Sequence, residues 1–136
     1  MAHLEKQLVI KRSSLLNAGK GLFTKKDIRK GTRIVEYKGK LRTWKDVSSE
    51  EEFNGYVFYI NRNHVIDAKK TKLARARYAN DAKGLSKRNG MRNNCKYEQD
   101  GLHVYITAIK DIPAGSEILV GYGKEYWDIV KENSTR

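Results

Sequence analysis

One pattern occurs twice in this chain, and it constrains the fold more than any other feature. Lys26-Asp27-Ile28-Arg29-Lys30-Gly31-Thr32-Arg33-Ile34-Val35 is matched by Lys110-Asp111-Ile112-Pro113-Ala114-Gly115-Ser116-Glu117-Ile118-Leu119. Each copy is a glycine-containing turn feeding a strand, with Asp before it and Thr or Ser after. Pro113 suits its turn because the ring fixes φ. Two readings stay open: two copies of a common turn, or a pseudo-repeated β-architecture. Two units are too few for a solenoid.

The other regular segments are also strand-like. Gln7 to Lys11, Arg33 to Tyr37, Tyr56 to Ile60, His64 to Asp67, Leu102 to Thr107 and Glu117 to Tyr122 are short and rich in β-branched and aromatic residues. Asn61-Arg62-Asn63 reads as a tight turn. Helix is scarce. Ser48 and Ser49, followed by Glu51 and Glu52, predict the cap of one short helix, and Tyr126 to Val130 a second. Lys83 to Arg92, with Gly84 and Gly90, reads as a polar loop long enough to be functional.

A length of 136 residues fits one domain, taken as 1–136. With mean hydropathy −0.73 the core must be lean and the surface heavily charged. No apolar run approaches the roughly 20 residues that span a bilayer. The first residues carry His3, Glu5 and Lys6 and lack a signal peptide's apolar region. The expectation is a soluble intracellular protein without membrane contact, cytoplasmic in a prokaryote and open to the nucleus in a eukaryote. The net charge of +12 concentrates at Lys69, Lys70, Lys72, Arg75 and Arg77, and again at Lys83, Lys87, Arg88, Arg92 and Lys96. Such runs are either solvated faces or loops that contact a phosphate backbone.

Several chemistries find no support. Cys95 is the only cysteine, so no internal disulfide or cysteine-rich zinc cluster can form. His3, His64 and His103 make no protease signature and no pair with metal-ligand spacing, so no metal is expected. There is no phosphate-binding Gly-rich lysine motif.

An ordered series of motifs is more specific. Ala18-Gly19-Lys20-Gly21-Leu22-Phe23 is followed by Glu36-Tyr37-Lys38-Gly39, Tyr56-Val57-Phe58, Val65-Ile66-Asp67-Ala68 and Ala76-Arg77-Tyr78-Ala79-Asn80. Asn94-Cys95 and Ile112-Pro113-Ala114-Gly115-Ser116-Glu117-Ile118, running into Tyr122, complete it. From about residue 8 to residue 127 the chain resembles the SET-domain protein lysine methyltransferases. The resemblance implies a mainly β fold (the β-clip) of several small sheets around a C-terminal pseudoknot, with few short helices. It also implies S-adenosyl-L-methionine as cofactor and a protein lysine as substrate.

Site residues follow from the same resemblance. Tyr122 matches the catalytic tyrosine. Gly19, Lys20 and Gly21 match the turn against the methionine end of the cofactor. Asn80 matches the cofactor-binding asparagine, within a motif that includes Arg77, Tyr78 and Asp81. Tyr56 and Phe58 match rings lining the lysine channel, and Tyr126 or Trp127 is placed to meet the adenine. These residue types suit the chemistry. The sulfonium carries its own electrophile, so the protein supplies orientation. The attacking amine, with an unperturbed pKa of about 10.4, must lose its proton. Aromatic walls and the nearby positive charge both disfavour the ammonium.

The pattern departs from the family in places. Asp81-Ala82 stands where His-Ser is usual. Val120 stands near the lysine amine where many members carry Tyr or Phe, and its smaller size predicts di- or trimethylation. No cysteines supply the zinc-binding segments of many eukaryotic members, so the expectation is a minimal form like stand-alone bacterial or viral ones. Glu50-Glu51-Glu52, with Asp81 and Asp100, is the candidate acidic rim for a basic, histone-like substrate. Basic loops bearing Lys87, Arg88 and Arg92 are candidates to dock on a nucleoprotein, and a homodimer completing the groove stays open. The competing function is a catalytically weak module of the same fold that binds nucleic acid or basic peptides.

Overall fold

The computed structural model describes residues 4–15, 18–50, 56–71, 75–82 and 91–121. The strands among them are β1 (Leu8–Arg12), β2 (Lys20–Thr24), β3 (Arg33–Glu36), β4 (Lys40–Arg42), β5 (Val57–Asn61), β6 (His64–Asp67), β7 (Cys95–Asp100), β8 (His103–Ala108) and β9 (Glu117–Ile118). One short helix, α1 (Trp44–Ser48), and two 3-10 turns, Glu5–Gln7 and Arg75–Tyr78, accompany them.

The repeated sequence organises the fold. β1 and β2 form one antiparallel hairpin, and β7 and β8 another. The strand after each repeated turn then leaves its own hairpin and joins the other. β3 pairs with β8, and β9 pairs with β2. The sheets β1-β2-β9 and β3-β8-β7 are thus equivalent units that have exchanged their third strands.

The two turns lie face to face through reciprocal hydrogen bonds. The Ile28 and Ile112 amides each donate to the other's carbonyl at 2.8 Å. Asp111 Oδ1 accepts from the Lys30 amide, and Asp27 Oδ1 from the Ala114 amide, both at 2.8 Å. The Gly31 amide donates to the Ala108 carbonyl, and the Gly115 amide to that of Thr24. Gly31 and Gly115 take φ values of 89° and 86°, which a side chain disfavours. This settles the choice left open by the sequence: the turns are the paired halves of a pseudo-repeated architecture.

The core lies where the exchanged sheets meet. Leu22, Ile34, Val35, Val104, Ile106, Ile118 and Val120 are fully buried there, each worth about 1.5–3 kcal/mol. The third sheet, β4-β6-β5, is inserted between the repeat copies. Asn61 Oδ1 accepts from the Asn63 amide at 2.9 Å and shapes the expected turn between β5 and β6. Arg42 ties this sheet to α1, donating to Asp46, Glu50 and Asp67 at 2.9, 2.9 and 2.6 Å.

The helix α1 ends at Ser48, and a helix capped by Ser48 or Ser49 would run into residues 51–55, outside the described residues. Thr43 is the N-cap of α1, with Oγ1 accepting from the Asp46 amide at 3.1 Å. Ser48 and Ser49 lie at the C-terminal end and donate back to the Lys45 and Asp46 carbonyls. The expected helix at 126–130 lies outside the described residues. Three strands had no clear sequence signal. β2 is interrupted by Gly21, β4 has three residues, and β7 is a largely polar edge strand.

Candidate active site

Three of the residues expected to hold cofactor converge. Gly19, at φ 70°, ends the loop between β1 and β2, and Lys20 begins β2. Asn80 forms a parallel bridge to Leu119, directly beyond β9, and its carbonyl accepts from the Val120 amide at 2.8 Å. The Asn80 Nδ2 donates to the Lys20 carbonyl at 3.1 Å and more weakly to Glu117 Oε2 at 3.4 Å. Asn80 is thereby fixed against both the Gly-Lys-Gly turn and the last strand.

That strand is bracketed on its other flank. Cys95 forms a parallel bridge to Val120, and the Asn94 and Cys95 amides both donate to the Leu119 carbonyl. The Asn94 side chain extends the pairing: its Nδ2 donates to the Glu117 carbonyl and its Oδ1 accepts from the Leu119 amide, each at 2.9 Å. Asp81 and Asn93 join the two sides. Asn93 Nδ2 donates to Asp81 Oδ1 at 2.9 Å, and Asn93 Oδ1 accepts from the Ala82 amide at 2.8 Å. Residues 117–121 run through this bracket, between the Asn80 and Cys95 flanks. They carry the chain past Asn80 to the residue before Tyr122.

Gly21 lies against Glu117. A Cβ there would collide with Glu117 Oε2, so the glycine makes room for a carboxylate of the chain itself. Sequence reasoning did not single out Glu117. It is 6% exposed, accepts from Ser13 Oγ at 2.7 Å, and receives the Ser14 amide and Oγ at 2.9 and 2.6 Å. The available signal was an acid heading the apolar run Glu117-Ile118-Leu119-Val120.

The remaining candidates spread around this point. Asp81 is 5% exposed and engaged with Asn93. Arg77 donates to the Ala68 and Lys69 carbonyls at 2.8 and 2.6 Å, with the rings of Tyr56 and Tyr78 at 4.3 and 5.0 Å. Phe58 packs against Tyr97 at 5.0 Å and Tyr37 at 6.2 Å. The two channel candidates therefore have different neighbours. Val120 is completely buried. Tyr122, Tyr126 and Trp127 lie outside the described residues, as do Lys87 and Arg88, while Arg92 is exposed.

Of the candidate acidic rim, Glu51 and Glu52 lie outside the described residues. Glu50 is paired with Arg42, Asp100 with Arg33 at 3.3 Å, and Asp81 is buried. Among these residues no metal-binding acid, histidine or cysteine cluster occurs, and no helix is long and apolar enough to cross a membrane.

Cys95 behaves as a strand residue. Burial pushes its thiol up to about 12, so roughly one molecule in ten thousand carries the thiolate at pH 8. Native protein treated with iodoacetamide at pH 8 is expected to stay unmodified by mass spectrometry, and to be alkylated once unfolded in guanidinium. Rapid native labelling would contradict this.

Residues fitted to a small cationic cofactor are present. The position a Gly19 side chain would take is open space, and the Asn80 Oδ1 accepts no hydrogen bond among the described residues while its amide group is anchored. An immobilised, unused acceptor beside an open turn suits an amine donor.

Comparison with known proteins agrees with this geometry. The sequence model of the SET domain matches residues 19–123. The histone-lysine N-methyltransferase set-1 of Caenorhabditis elegans is 28% identical over 129 residues, covering 85% of this chain and 50% of that protein. The histone-lysine N-methyltransferase EZH2 of Chaetomium thermophilum is 28% identical over 138 residues, 93% of this chain and 9% of its own length. The N-lysine methyltransferase KMT5A-B of Xenopus laevis is 25% identical over 128 residues, 84% of this chain and 36% of its own. The chain spans half or less of each of these relatives. With the motif series, the exchanged sheets and the bracketed last strand in agreement, the chain belongs to the SET domain family.

Proposed function

We propose that the chain is a protein-lysine N-methyltransferase that uses S-adenosyl-L-methionine. One observation carries the reading: the Gly19–Gly21 turn and Asn80 meet on the strand that leads into Tyr122, within the matched SET domain. When bound, the cofactor supplies the methyl electrophile. Asn80 and the turn hold it, and Tyr126 or Trp127 meets its adenine. Arg77, Tyr78 and Asp81 support Asn80 from its own segment. Tyr122 aligns the lysine amine, and Tyr56 and Phe58 shield it from water so that it sheds its proton.

The substrate is a protein lysine, as the names of the relatives indicate for those proteins. The nucleoprotein docking role stays with the loop bearing Lys87, Arg88 and Arg92, and a homodimer is a further proposal. Asp81 was the main ground for a binding-only module. Its hydrogen bond to Asn93 supplies a structural reason for an acid there, so that reading loses its support.

Calorimetry with S-adenosyl-L-methionine, followed by transfer of labelled methyl groups to lysate proteins, tests the proposal. Saturable cofactor binding and at least one labelled lysine are expected. Binding with no transfer to any lysine substrate would reject it. In the same products Val120 predicts two or three methyl groups by mass spectrometry. Arrest at one methyl under excess cofactor would reject that part alone.

A further inference from the structure

We infer that Glu117 is the positioning residue of the cofactor turn, acting through Ser13, Ser14 and Asn80. This role rests on the methyltransferase reading. Glu117 is a buried carboxylate with no ion-pair partner among the described residues; its acceptors are filled by neutral donors. Removing a carboxylate from water without a cation is costly. An apolar residue would fill this position at less expense to stability.

The repeat supplies an internal control. Arg33 stands at the position of β3 that corresponds to Glu117 in β9: Arg33 pairs across the sheet with Thr107, as Glu117 does with Phe23. Tyr105 precedes Thr107 by two residues, as Gly21 precedes Phe23. In one copy the Arg33 guanidinium lies 4.5 Å from the Tyr105 ring centre, a structural stacking. In the other, the aromatic ring is replaced by a glycine and the cation by an acid, whose carboxylate lies where a side chain of Gly21 would begin. The architecture therefore forms without a carboxylate at this point. The acid occurs only in the copy that faces the cofactor turn.

Its contacts say what it does there. The Ser13 amide donates to the Gly19 carbonyl at 2.8 Å and closes the base of the loop. Ser13 and Ser14 then fasten that loop to Glu117, and Glu117 takes the same Asn80 amide group that bonds Lys20. One carboxylate holds the first half of the chain, the central asparagine and the last strand in register. Preorganisation of this kind lowers the ordering cost of binding.

The test compares Glu117→Gln and the Ser13→Ala/Ser14→Ala double variant with the wild type. In each variant the calorimetric Kd for S-adenosyl-L-methionine is expected to rise about tenfold, the loss of one hydrogen bond to a charged group. Amide exchange at Ser14 and Gly19 to Gly21 in the cofactor-free protein should quicken about as much, with Val104 and Ile106 unchanged. KM for cofactor should rise while kcat holds. The double variant keeps the carboxylate and covers the case in which Glu117→Gln fails to fold. An unchanged Kd in a folded variant, or exchange that quickens equally in β8, overturns the role. A wild type that binds no cofactor instead overturns the methyltransferase reading itself, with the exchange result still reporting the clasp.

Discussion

Asn94→Ala is expected to destabilise the fold by about 3 kcal/mol, because it strands two buried backbone groups at once. The Asn94 side chain is 8% exposed and pairs with the Glu117 carbonyl and the Leu119 amide, filling in for a neighbouring strand. Alanine leaves both groups without a partner and too enclosed for ready hydration. Deletion of an exposed polar group would cost far less, since water replaces its bonds. Urea denaturation at constant slope measures the effect, and the thermal midpoint should fall by about 10 °C. A loss under about 1 kcal/mol would mean that water enters the bracket, and that the side chain is not what closes it.

Tyr122→Phe is expected to lower methyl transfer at least about 100-fold, the usual cost of losing one positioned donor at a reacting centre. The same change should leave cofactor affinity within about threefold, because on the proposed reading the hydroxyl addresses the amine and not the cofactor. Single-turnover transfer and calorimetry separate the two effects. A rate near that of the wild type would move the catalytic assignment to another residue. Paired loss of binding and rate would assign Tyr122 to the cofactor.

The legible parts of the sequence were those where local chemistry and tertiary role coincide. The repeated Asp-Ile turns were visible because Asp and Gly do local work that also joins the two halves. Asn80 was visible through its motif. β7 was not, because an edge strand can be polar on most of its positions and still pair fully with β8. Glu117 was hidden for a different reason. Its donors, Ser13 and Ser14, lie more than a hundred residues away in sequence, and no local pattern announces them. Glu50 looked free in an acidic run, yet its carboxylate is paired with the Arg42 guanidinium of β4.

The exchange of third strands bears on how such a chain is made. β2 lies in the first fifth of the sequence, yet the strand that covers its open edge is β9. During synthesis the first hairpin therefore waits with one edge unpaired until almost the whole SET domain has emerged. Its sheet cannot be completed locally, and contacts of such long sequence separation slow folding. Neither half can reach stability ahead of the other, so the two sheets should form in a single cooperative step, and assembly of the cofactor turn with Asn80 is tied to that step.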